Sequence, residues 1–321
     1  MVNTLTHERQ QIKKKIVIHN NKFELSLTKY IQLKKFKYIY FIKLHVSFSI
    51  NPLEGNKNIT DGSMVASILG NVIKMLPLTA EQLTNSSYAA LCRTETTFDN
   101  NQIYGGNGVL IDPRIMITAA HNCLRFDPGQ GIMKGISMSI KPYGGIINSD
   151  KQIIDFTSTT NKYYRRLEWE KLLEKAAEEG STAYKSIDRK YDYAFVVLDK
   201  PFDLPNNTNY FELENINELQ SEIVFVASDR RVGQLQMMEA RIQNPMQSDA
   251  IQLVNEGTIK HRCDYDAGCS GAGIFNRDNN NNLSVIGIHS IGNLQSGNRY
   301  AVRISDEVIS DSKKVKDVIS N

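Results

Sequence analysis

The chain has 321 residues, 41% of them apolar, which suffices for one large domain or two small ones and excludes a chain disordered throughout. Its net charge of +3 conceals an asymmetry, because residues 1–60 hold eleven Lys/Arg against three Asp/Glu, so that +8 sits there and −5 remains for residues 61–321. That acidic remainder offers nucleic acid no electrostatic footprint, and no nucleic-acid partner is expected.

In chain order, residues 1–63 read as a basic leader and linker, expected to be disordered. Segment 34–50 (KKFKYIYFIKLHVSFSI) puts basic residues before an apolar run, as a secretory signal does, but Lys43 and His45 interrupt the run and it lies far from Met1. The competing reading takes Met64 as the true start; the signal-like pattern leans toward a secreted or vesicular compartment. No stretch of 18 or more uncharged apolar residues exists, so no transmembrane helix is expected. Residues 51–63 (NPLEGNKNITDGS) have linker composition.

A short helix is expected near 64–75. Short β-type runs follow at 87–94, 107–118, 133–141, 192–199, 222–227, 239–243, 249–254, 272–276, 283–289 and 299–304, most bounded by Gly, Pro, Asn or Asp. Such a series argues for barrels or sandwiches rather than a parallel α/β sheet. Two helices break it. Residues 161–179 (NKYYRRLEWEKLLEKAAEE) keep Tyr164, Leu167, Leu172 and Ala176 near one face and stop at Gly180, which reads as a surface helix inserted between strands. Residues 306–319, with Asp306 as cap and Val308, Ile309, Val315, Val318 and Ile319 as the apolar stripe, read as a C-terminal helix docked on a barrel. Residues 279–282, all Asn, join two apolar runs as a hairpin loop. The four cysteines, Cys92, Cys123, Cys263 and Cys269, lack the paired spacing of a structural zinc site; one or two disulfides or four free thiols fit equally.

Three segments carry chemistry. In 106–124 (GNGVLIDPRIMITAAHNCL) a strand-turn-strand ends on His121, and an imidazole is the usual general base at neutral pH. In 191–202 (YDYAFVVLDKPF) Asp192 stands at the mouth of a continuous apolar strand, where a carboxylate can be buried beside an imidazole and fix its tautomer; Asp188 and Asp199 are its rivals. In 263–276 (CDYDAGCSGAGIFN) Gly268 permits a tight turn that aims its own N–H and that of Ser270 at one spot.

Together the three segments resemble the chymotrypsin-like serine peptidases over roughly residues 86–306, and the V8-like glutamyl-endopeptidase branch most closely, which shares the Gly-Ile-His of VIGIHSIG at 285–292. The resemblance implies an all-β fold of two six-stranded antiparallel barrels, 64–205 carrying His121 and Asp192 and 206–321 carrying Ser270. It implies a Ser270–His121–Asp192 triad, an oxyanion hole of the Gly268 and Ser270 amides, and a substrate pocket touched by His289, Ser290, Asp264 and Tyr265. It calls for no metal or organic cofactor, a protein or peptide substrate, and a monomer. Cys269 is the competing nucleophile, but the glycines fall at −2 and +1 only when counted from Ser270.

Departures from the family pattern are also visible. Asn122 separates His121 from the cysteine that usually follows it, Gly106 stands where that cysteine's partner would be, and Ala272 replaces a more usual Gly or Ser. Cys92–Cys123 is the substitute disulfide this suggests. Cys269 occupies the place of the aspartate that pairs with a new N-terminus on zymogen activation, so that switch cannot operate. In the pocket His289 argues for an acidic residue before the scissile bond and Asp264 for a basic one; the lean is to acidic. The alternative is a catalytically silent relative that binds peptides.

Overall fold

The computed structural model describes residues 11–18, 21–28, 45–47 and most of 75–320; segments 79–85, 143–157, 180–187, 203, 205–208, 220–221, 230–235, 244, 248–249, 264–267 and 293–298 are outside the description. The helix expected near 64–75 lies outside the described residues except at Met75. The chain divides into Met1–Asp61 and Gly62–Asn321. In the first unit, read above as a disordered leader, β1 (Gln11–Ile18), β2 (Asn21–Thr28) and β3 (His45–Ser47) pair antiparallel, from Gln11↔Thr28 to Ile18↔Asn21 between the first two. The sequence KFELSL within β2 alternates apolar and polar residues, the period of a strand.

In the second unit β4 (Leu76–Pro77) precedes β5 (Leu91–Phe98), β6 (Ile103–Asp112), β7 (Ile115–Thr118), β8 (Leu124–Asp127), β9 (Gly131–Pro142), β10 (Ser158–Thr160), β11 (Tyr163–Arg165) and β12 (Ala194–Val197). All but β4 form one sheet in the order β10-β9-β5-β6-β7-β12-β11, with β8 on β9. Then come β13 (Glu212–Leu213), β14 (Glu222–Asp229), β15 (Gln236–Ile242), β16 (Ile251–Asn255), β17 (Thr258–His261), β18 (Gly273–Arg277), β19 (Leu283–Gly292) and β20 (Arg299–Arg303). They form the second sheet, β16-β17-β20-β19-β18-β14-β15-β4, with β13 added parallel to β19. Both sheets curl into antiparallel half-barrels, as expected. They hold eight and nine strands rather than six: the three-residue β10 and β11 lengthen the two edges of the first sheet, and the second has seven longer strands with the two-residue β4 at one edge and β13 added beside β19.

Burial follows from where each strand lies. In β5 the pattern is nearly alternating, with Thr94, Thr96 and Phe98 inside and Arg93, Glu95 and Thr97 partly exposed, as suits a strand with one covered face. The four residues of β12 are all buried, which is why its sequence is continuously apolar. One core cluster joins β6, β7 and β12 to Val224, Phe275, Ile288 and Val302 of the second sheet, and a smaller one fills the second sheet around Phe225, Ile259, Ile274 and Ile286. The hairpin at 278–282 is held by Asp278, which accepts from the backbone N–H of Asn280 and Asn282 at 2.8 Å each, with Asn281 in the left-handed region at φ 63.

The helix in the 161–179 segment departs from the expected surface insertion. Helix α1 spans Leu167–Glu179, and the residues before it are β11, paired with β12 from Tyr163↔Val196 to Arg165↔Ala194. Its buried face is Trp169, Leu173 and Ala176, while Leu167, expected inside, is 59% exposed. The apolar stripe was misplaced because Tyr164 belongs to a strand and so has no helical phase with the rest. Trp169 is fully buried, and its Nε1–H donates to Leu124 O at 2.9 Å, so α1 buttresses the strand that follows His121. A loop replacing residues 158–186 would therefore remove two strands and a core aromatic, and is expected to unfold the domain. The milder Trp169→Ala should cost about 3–5 kcal/mol, read as a lower urea midpoint at unchanged m-value; a loss below 1 kcal/mol would return α1 to the surface.

Helix α2 spans Asp306–Ser320 and buries Val308, Ser312 and Val315, with Ile309 and Ile319 packed alongside and Val318 exposed. Its cap is Ser305, whose Oγ accepts from Val308 N–H at 3.5 Å; Asp306, the expected cap, accepts from Asn215 Nδ2 instead. Tyr193 Oη donates to Asp311 at 2.8 Å, and Arg166 pairs with Glu307 and Asp311, so the helix is tied to the β11–β12 edge of the first sheet.

Candidate active site

His121 sits in a one-turn 3₁₀ helix, Ala120–Asn122, directly after β7, and Asp192 follows a second such turn, Arg189–Tyr191, directly before β12. The two strands pair with Thr118 opposite Ala194, which brings the ends of β7 and β12 together and so closes a gap of 71 positions. Asp192 is wholly buried and accepts from the backbone N–H of His121 at 2.9 Å through Oδ1 and from His121 Nδ1 at 2.8 Å through Oδ2. Burial pushes the Asp192 carboxyl up, but the His121 charge and hydrogen bond, the Arg189 guanidinium and the Ser290 hydroxyl outweigh it and hold the carboxyl below its ordinary value. Of the rivals, Asp188 caps its turn by accepting from Lys190 N–H, and Asp199 pairs with Lys162 at the surface.

Ser270 lies in the turn before β18, between Gly268 at φ +97 and Gly271 at φ +86, conformations that only glycine adopts at low cost. Gly271 N–H donates to His289 O and His289 N–H to Ala272 O, both at 2.8 Å, which holds the turn against β19. The Ser270 hydroxyl donates to Ser290 O at 3.5 Å, the outer limit of a hydrogen bond, and among the described residues none joins it to His121. Ser290, expected at the substrate, instead directs its hydroxyl to Asp192 Oδ2.

His289, expected in the pocket as a cation or donor, is buried and faces His261 on β17, with His261 Nε2 and His289 Nδ1 3.1 Å apart. Burial, together with the His121 and Arg299 charges, pushes the His289 imidazole down to about 3 against a smaller upward pull from Asp192, so the cationic reading is not supported. His261 is lowered for the same reason. The proton positions of the neutral pair then follow from one backbone group. Cys263 N–H can only donate and does so to His261 Nδ1 at 3.3 Å; His261 must carry its proton on Nε2 and give it to His289 Nδ1, which leaves His289 protonated on Nε2. Sequence reasoning missed His261, which ends the mixed strand Thr258–His261 with no motif around it to mark it. Asp264 and Tyr265 lie outside the described residues.

All four cysteines are free and buried, so the suggested Cys92–Cys123 disulfide is absent. Desolvation pushes the Cys92 and Cys123 thiols far up and leaves them as inert packing groups. Cys269 is buried too, with its Sγ–H directed at Ser228 O at 3.4 Å. Among the described residues no cluster of His, Cys, Asp and Glu could hold a metal ion.

Neither a protein-family model nor a curated protein matches the chain. Solved structures do. A Glu endopeptidase in complex with MPD is 13% identical, covering 78% of this chain and 99% of its own, at a TM-score of 0.53. The protein named GrC is 14% identical, with 76% and 100% covered and a TM-score of 0.52. The scabies mite inactivated protease paralogue S-I1 is 10% identical, with 76% and 99% covered and a TM-score of 0.50. An inactivated protease stands among them, so the likeness bears on architecture and leaves activity to the site. The chain has the chymotrypsin-like two-barrel fold of the serine proteases.

Proposed function

We propose that the protein is a serine endopeptidase that hydrolyses peptide bonds through an acyl-enzyme. The observation that carries this reading is the buried Asp192 carboxylate accepting from His121 Nδ1. That bond keeps the Nδ1 proton in place and leaves Nε2 basic, the tautomer a general base needs. Ser270 Oγ would attack the scissile carbonyl while His121 takes its proton and then returns it to the leaving amine. The amides of Gly268 and Ser270 would hold the oxyanion, each donor contributing on the order of 10²–10³ in rate. The substrate is a protein or peptide, with a lean to an acidic residue before the scissile bond. Support for that lean is the place of His289, buried and neutral on the strand whose backbone holds the Ser270 turn, where an imidazole would meet a carboxylate as a donor rather than as a countercharge.

A fluorophosphonate probe should label the wild-type protein at Ser270, and a mixed peptide library should show cleavage after Glu or Asp. Dominant cleavage after Arg or Lys would overturn the role given to His289. One observation favours the second reading, a silent peptide-binding relative: the Ser270 hydroxyl faces Ser290 O rather than His121. Catalytic hydrogen bonds are often loose before substrate arrives, so probe reactivity decides between the two.

A further inference from the structure

His121 and Ser270 belong to different sheets, and a nucleophile misplaced by about 1 Å from its base can lose 10²-fold in rate. Two buried carboxamides lie at the seam. Asn107, on β6, is 3% exposed and Asn122, the residue after His121, is 6% exposed, so each must satisfy its polar atoms within the protein. Asn107 donates from its backbone N–H to Ser270 O at 2.7 Å and from Nδ2 to Gly268 O at 2.8 Å, while its Oδ1 accepts from Ser228 N–H at 2.8 Å. Asn122 Nδ2 donates to Ser270 O and to Thr118 Oγ1, both at 3.0 Å, and the Thr118 hydroxyl donates in turn to Asn107 O at 2.6 Å.

The partners dictate the residue type. Gly268 O and Ser270 O can only accept and Ser228 N–H can only donate, so the Asn107 site needs a donor and an acceptor on one short side chain, which a carboxamide supplies and Asp or Leu does not. The space is shaped for it as well. A Cβ on Gly106 would lie 2.5 Å from Asn122 Nδ2, and one on Gly271 would run into Asn107 O and Thr118 Oγ1. Gly106 and Asn122 are also the positions where the resembled family carries a disulfide, and all four thiols here are free.

We propose that the carboxamides of Asn107 and Asn122 are positioning groups that clamp the Gly268 and Ser270 carbonyls to the sheet carrying His121, so setting the distance from nucleophile to base. The proposal rests on the serine-peptidase reading for its kinetic consequence and on the hydrogen-bond pattern for its structural one. Because the clamp touches backbone carbonyls and no substrate, its loss acts on kcat rather than KM.

The test uses Asn107→Asp and Asn122→Ala in the full chain. N107D keeps the acceptor for Ser228 N–H but turns a carboxylate toward Gly268 O. Its kcat should be ~10²-fold below wild type at neutral pH, with KM within twofold, in proportion to the misplacement expected. Protonation restores a donor there, so the ratio of mutant to wild-type kcat should rise as pH falls. With kcat taken per molecule titrated by the fluorophosphonate, a merely structural role leaves kcat near wild type at every pH, and that result would overturn the clamp. N122A, which introduces no charge, should lower kcat about tenfold in a folded protein; wild-type kcat in N122A would equally overturn it. Should the wild type neither cleave peptides nor take the fluorophosphonate label, the peptidase reading fails on its own. Hydrogen exchange of the Asn107 amide then judges the clamp, with faster exchange in N122A supporting it and unchanged exchange refuting it.

Discussion

Ser270→Ala should abolish peptide hydrolysis, with kcat falling by about 10⁶-fold as when a triad nucleophile is removed elsewhere, while the fold survives. The asymmetry comes from what each part of Ser270 does. Its hydroxyl makes one marginal hydrogen bond, to Ser290 O at 3.5 Å, so its removal leaves no buried group unpaired at significant cost. Its carbonyl accepts from Asn107 and Asn122, and alanine keeps that carbonyl. Thermal unfolding should therefore move by no more than a few degrees, and the residual rate over water would come from binding and the oxyanion amides alone. Retention of more than a few per cent of the activity would sink the serine mechanism and bring Cys269 back as nucleophile, although its burial and its contact with Ser228 O point it away from any substrate.

Asp192→Asn is the second large effect, a fall of ~10⁴-fold in kcat with the structure retained. Asp192 receives three donors, the His121 N–H, His121 Nδ1 and the Ser290 hydroxyl. An amide must turn its NH₂ toward one of them, and relief at His121 comes only by moving the imidazole proton to Nε2, which removes the base. The pH dependence of stability should change too. Because the Asp192 carboxyl is held below its ordinary value, its ionisation contributes stability that is present above the unfolded carboxyl pKa near ~4 and is lost as pH falls through the lower folded value. Urea midpoints measured from pH 6 down to pH 2 should thus drop less steeply for the Asn variant. Parallel acid limbs would show that the carboxyl is not held down by its partners.

How much could be read from the chain alone depended on the range of the interaction. Strand runs such as 133–141 and 283–289 and the last helix were legible because local period and turn residues carry them, and β9, β19 and α2 stand at those places. Segment 161–166 was misread as helix because its pairing partner, β12, lies some thirty residues further on, and no local period records it. The same holds in the site. His121, Asp192 and Ser270 are singled out by short motifs, whereas Asn107, Ser228 and His261 are polar residues in ordinary strands until the sheets curl and bring their partners to them.

The sequence by itself therefore determined a β-rich fold of barrels or sandwiches and the residue types at the ends of the chemical motifs, since these rest on periodicity, glycine placement and side-chain chemistry, while the two-barrel form followed from the family resemblance. Only the tertiary structure decided that His121 meets Asp192, that the Ser290 hydroxyl turns to Asp192, that His289 is buried neutral against His261, and that the Asn107 and Asn122 side chains bond the Gly268 and Ser270 carbonyls. Each of these depends on register and burial between segments distant in the chain, and hydrogen bonding and desolvation act only once those segments have met.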